Sequence, residues 1–262
     1  MSSLLASDSS GFQSPSAGDF WQPFVGSGQY VLTRPMVVMA ISLLLISVWL
    51  LMATRRLSVV PGKLQWATEG VYGMIRNGVA RDVLGSHDFL RFVPLLFTMF
   101  VLILVNNLFG IVPFIQFPTM SRIGFPIGLA LVVFVVYHVV GIKSMGLGGY
   151  FKHMVPAGLP GWIVPLIFFL ELVTYFFTRP VTLALRLFGN MFAGHILLLL
   201  VFTFGGEFLL LHSTVPNKAA GVLSFAVAVF MHAFEGLIEF LQAYIFTLLA
   251  AVYIAGAVAD EH

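Results

Sequence analysis

Arg186, Asn190, His195, Glu235, Glu239 and Gln242 are polar or ionisable residues set in two long apolar stretches near the end of a 262-residue chain. A charge at the centre of a bilayer costs from about 2.5 kcal/mol to more than ~10 kcal/mol. Arginine does not lose its proton under protein conditions, so Arg186 requires a carboxylate or a wet cavity as partner. Glu235, Glu239 and Gln242 stand four and three residues apart, on one helical stripe, and Asn190 lies one turn from Arg186. His195, nine residues beyond Arg186, points to the opposite side of an ideal helix. Either Gly189 and Gly194 permit a kink, or the histidine serves a different wall. A cation, a histidine and two carboxylates in an apolar hairpin mark an ion or proton pathway by default. The bland alternative is an interhelical hydrogen-bond network, at about 0.6 kcal/mol per contact. Glu239 is the nearest candidate counter-ion, and as a fixed partner it would quench Arg186.

The elements that carry these residues follow from composition. With 59% hydrophobic and 9% charged residues, the chain reads as an integral membrane protein. A formal charge of +2 without a basic run offers nothing to nucleic acid, and the absence of cysteine excludes disulfides and thiolate chemistry. Residues 1–34, rich in serine and glycine, read as a polar N-terminal tail, and 35–262 as a single membrane domain. Residues 36–53 form a first span of the length that ~30 Å of hydrocarbon requires. Arg55, Arg56, Lys63, Arg76 and Arg81 follow it, so the positive-inside rule places the N-terminus outside.

Between 63 and 84 the apolar positions recur at helical spacing with charges between them, as in an amphipathic helix on the membrane surface; a soluble loop helix is the alternative. Helices over 90–115 and 123–142 follow. Asn106 and Asn107 in the first of these glue helices together or line a vestibule, and His138 in the second reads as a packing residue. The glycines and prolines from Gly146 to Gly161 predict a turn-rich connection. A long helical segment over 161–211, interrupted at Pro180, and a long helix over 219–258 complete an all-α fold of about five crossing helices. Both exceed the hydrocarbon thickness and must tilt or lie partly along the membrane. The turn at 212–218 makes them an antiparallel hairpin, and the C-terminus falls inside.

In an antiparallel pair, residues at one depth have numbers with a constant sum, here twice the turn's midpoint at residue 215. Arg186 with Gln242, Asn190 with Glu239 and His195 with Glu235 each come within two of that sum. Three polar levels therefore match across the hairpin.

The run Leu185-Arg186-Leu187-Phe188-Gly189-Asn190-Met191, with Leu241-Gln242-Ala243-Tyr244-Ile245-Phe246 in the final helix, resembles subunit a of the F-type ATP synthase, bacterial type. The likeness covers about residue 36 to the end. It implies a partner in trans, a carboxylate on each subunit of a rotating c-ring, with peripheral-stalk b subunits and the rest of the synthase beyond. By resemblance Arg186 is the stator arginine, Asn190 and Gln242 are its polar neighbours, and His195 with Glu235 is the relay of the outer half-channel. Glu171 matches an acidic position towards the inner half-channel. Many bacterial relatives carry a carboxylate where this chain has His195 and a histidine where it has Glu235. The reverse arrangement here resembles mitochondrial members and leaves both orders of proton acceptance open. At Thr119 to Pro126, relatives often show an acidic, Asn-containing segment, whereas this chain has Met120, Arg122 and Gly124.

The resemblance implies a proton-translocating, non-catalytic subunit of the bacterial plasma membrane, without cofactor or metal. No glycine-rich nucleotide loop is present in the sequence. A secondary transporter would use broken helices in internal repeats, and no repeat is visible. A purely structural assembly subunit is the other alternative.

Overall fold

The computed structural model describes residues 23–25, 32–55, 57–112, 119–155, 158–203 and 215–258, and it is almost entirely helical. A short antiparallel pair, β1 (Pro23–Val25) and β2 (Leu32–Thr33), precedes α1 (Arg34–Thr54), which opens with a proline at its first turn. Then come α2 (Lys63–Ile75), α3 (Asp82–Leu108), α4 (Gly124–His153), α5 (Val164–Val173), α6 (Arg179–Val201) and α7 (Val215–Val258). Five helical runs are long and apolar enough to cross a membrane: Pro35–Thr54, Phe89–Leu108, Gly124–His153, Val164–Val201 and Lys218–Val258. The chain is an integral membrane protein.

The amphipathic element is α2 continued by a π-helical turn, Arg76–Arg81, which buries Ile75, Val79 and Ala80. The chain changes direction at Gly85, whose φ of 78° is open to glycine and costly for other residues. From there α3 runs through the centre of the molecule. Phe92, Val93, Leu96, Phe100 and Ile103 are buried, and α7 is its most extensive neighbour. Asn106 and Asn107 fasten α3 on two sides. Ser42 Oγ of α1 donates to Asn106 Oδ1 at 3.1 Å, and Asn107 Nδ2 donates to the main-chain carbonyl of Glu239 on α7 at 3.3 Å. Their role is helix attachment, one of the two readings the sequence allowed.

Three expectations need correction. The glycine cluster from Gly146 to Gly161 predicted a turn-rich connection; Gly146 (φ 72°, ψ 167°) does break α4 into two helical pieces, but the residues from there to His153 are helical rather than irregular. Burial of Tyr150 accounts for this. Its ring packs onto Gly141, where an added Cβ would lie 2.5 Å from Tyr150 Cε2, and this contact holds the last turns of α4 back against the helix body. Pro180 predicted an interruption, but α5 and α6 form one continuous run joined by a π-helical turn, Thr174–Thr178. In that wide register the carbonyl of Tyr175 looks to residue 180, a proline with no N–H to offer. The hydroxyl of Tyr137 on α4 donates to this carbonyl instead, at 2.5 Å. The expected turn at 212–218 is too long, because α7 already begins at Val215 and takes in Pro216 to Lys218; residues 204–214, which include the far end of the 161–211 segment, and 259–262 lie outside the described residues.

Candidate functional site

Six of the seven residues singled out in the sequence lie on α6 and α7, and Glu171 is half-buried on α5. Arg186 is on the exposed face of α6 with Leu185, and it has no hydrogen-bond or ion-pair partner among the described residues. One turn on, half-buried Asn190 lines a cavity of about 170 Å³ together with Glu235 and Glu239 of α7. Glu235 approaches α6 at Gly194. A Cβ there would sit 3.4 Å from Glu235 Oε1, so the carboxylate lies against the α6 backbone at the residue before His195.

Both oxygens of Glu239, Oε2 of Glu235 and Nε2 of Gln242 are buried without a protein hydrogen-bond partner among the described residues. Glu239 is therefore no fixed counter-ion for Arg186, whose side chain stays on the exposed face. Leaving a buried polar atom unsatisfied costs about 1–3 kcal/mol, and more for a charged group. Native chains tolerate such atoms mainly where they exchange protons or bind water. Asn107 adds to the support of this region, because its bond to the Glu239 carbonyl fixes the α7 turn from which that carboxylate projects.

His195 is buried and lines a second cavity, of about 190 Å³, with Gly110, Leu199, Ala228 and His232. Since α6 is one unbroken α-helix over this stretch, the histidine reaches a second wall without a kink. Leu198 lines both cavities. Sequence reasoning passed over His232, although it stands three residues before Glu235 and thus begins the same α7 stripe. Its Nε2 lies 3.0 Å from the carbonyl oxygen of Ile111, just beyond α3. Among the described residues no group of His, Asp and Glu side chains could hold a metal ion.

The sequence model of the family described as ATP synthase A chain matches residues 36–255. The chain belongs to that family. A protein named ATP synthase subunit a from a Nocardioides species is 45% identical over 271 residues, covering 99% of this chain and 98% of its own. The ATP synthase subunit a of Pseudarthrobacter chlorophenolicus is 41% identical, with 99% and 98% covered, and that of Streptomyces lividans 39% identical, with 97% and 91% covered. The family match spans both cavities and the exposed arginine, all of which fall between residues 36 and 255.

Proposed function

We propose that this chain is the proton-conducting stator of an ATP synthase membrane sector, with two offset half-channels and Arg186 between them. The observation that carries this reading is the exposed Arg186, without a partner among the described residues, beside a cavity lined by Asn190, Glu235 and Glu239. An arginine turned out of its own fold in an apolar helix calls for an anion on another chain, and the c-ring carboxylate has that chemistry. His195 and Glu235 take protons from the outer side and pass them to the ring. A neutralised ring carboxylate can face lipid, where a charged one would be costly. After nearly a full turn it meets the inner half-channel near Glu171, releases its proton and passes Arg186.

Each proton crossing delivers about 2.3 kcal/mol per 100 mV, so several must be coupled to each phosphorylation event on other subunits. Asn190 and Gln242 flank the arginine and order its approach. The setting is a bacterial plasma membrane, with the N-terminus outside and the C-terminus cytoplasmic, and with peripheral-stalk b subunits holding the chain against rotation. A cysteine placed at Ser58 should be labelled by an impermeant reagent from the cytoplasmic side alone.

The deciding experiment is proton flux and ATP synthesis in vesicles, normalised to assembled complex, for Arg186→Ala. The fixed charge repels a hopping proton and draws the ring carboxylate into its charged form. Its loss should abolish coupled synthesis and ATP-driven pumping while passive proton conductance rises. Arg186→Ala complexes that assemble normally and still make ATP would sink this reading. Failure to assemble would favour a purely structural role.

A further inference from the structure

We infer that His232 is an additional proton-relay residue, which collects protons in the cavity it shares with His195 and hands them towards Glu235. The inference rests on the half-channel reading above and extends it by one residue. His232 and His195 line the same cavity of about 190 Å³, room for several water molecules at ~30 Å³ each. Glu235 is the next polar residue on the His232 face of α7 and opens into the adjoining cavity, with Leu198 as the common wall.

The hydrogen bond to Ile111 decides which nitrogen does the work. A carbonyl oxygen only accepts, so Nε2 at 3.0 Å must carry the hydrogen in the neutral ring, which leaves the lone pair on Nδ1. When a proton arrives from cavity water it bonds to Nδ1 and the ring becomes imidazolium. The same N–H bond breaks as the proton moves on through water to the Glu235 carboxylate. Nε2–H keeps its bond to Ile111 throughout. The ring can therefore load and unload without letting go of α3, which a relay built into a structural contact requires.

An anchoring role alone makes a different prediction, and two variants separate them. In vesicles carrying the whole assembled complex, His232→Gln can still donate to the Ile111 carbonyl but cannot shuttle a proton. It should lower ATP-driven pumping and ATP synthesis on the order of tenfold per assembled complex, below the 10²–10⁴-fold typical of direct acid–base groups. His232→Ala leaves space for a free imidazole, and millimolar imidazole in the outer buffer should restore part of its flux. Unmodified transport in His232→Gln, or no recovery of His232→Ala by imidazole, would overturn the inference. Glu235→Gln is measured beside them. Full transport in Glu235→Gln would instead overturn the half-channel reading on which this residue depends.

Discussion

Two arginines lie two turns apart on α6, and the chain treats them in opposite ways. Arg179, half-buried, stacks its guanidinium 3.5 Å from the Tyr175 ring centroid and 5.1 Å from that of Tyr253. Around it Tyr137, His138, Tyr150 and Phe176 form a continuous aromatic cluster joining α4 to the α5–α6 junction. Arg186 has no such cover and faces outward. One cation is satisfied inside its own chain, as stacking on aromatic faces allows, and the other has no partner among the described residues, as the proposed contact with another chain requires. One helix is thus fixed at its start and left open at its middle.

The sharpest test of this contrast is the same conservative change at both positions. Arg186→Lys keeps a positive charge but loses the planar fork, and should abolish ATP synthesis, whereas Arg179→Lys retains a cation over Tyr175 and should leave synthesis per assembled complex nearly unchanged. Equal losses in the two variants would dissolve the comparison. Next in size is the pair at the reactive end. His195→Glu sets a carboxylate against Glu235 and should reduce proton uptake several-fold, on the scale of a lost acid–base contribution, and adding Glu235→His should recover part of it. Identical flux in single and double variants would break that pairing.

At the static end, Gly141→Ala should destabilise the assembled complex by about 1–3 kcal/mol, seen as a lower melting temperature in detergent, because the new Cβ would lie 2.5 Å from the Tyr150 ring. The smallest effect belongs to Gly194→Ala. Its Cβ would make an ordinary 3.4 Å contact with Glu235 Oε1, so stability should hold to within about 0.5 kcal/mol. A loss of flux there would mean that the carboxylate must move to work.

Two of the three polar levels across α6 and α7 were legible because ionisable residues stand out against an apolar background. Helical periodicity and a constant sum then place them without any coordinates. Asn190 and Glu239 do line one cavity, and Glu235 does meet α6 beside His195. What stayed hidden depends on packing between distant segments. Pro180 looks like a break until Tyr137, on another helix, takes up the carbonyl that the proline cannot serve. The glycines after residue 145 do mark a turn, at Gly146, but the helical piece beyond it is legible only once Tyr150 is seen against Gly141. His232 escaped notice because a single histidine on an apolar helix is ambiguous until its carbonyl partner and the cavity it shares with His195 are seen.

The length of α7 bears on the shape of the route. A helix of 44 residues is about 66 Å long. If it stays within ~30 Å of hydrocarbon, its axis lies only about 27° from the membrane plane. The seven residues from His232 to Glu239 cover roughly 10 Å of that axis, which becomes about 9 Å sideways and only about 5 Å in depth. On the proposed half-channel reading, a proton descending along α7 would travel a ramp rather than a shaft. Mouths at different heights would then stand at different points around the proposed ring's circumference, and the inclination of one helix would supply the sideways step a rotor needs.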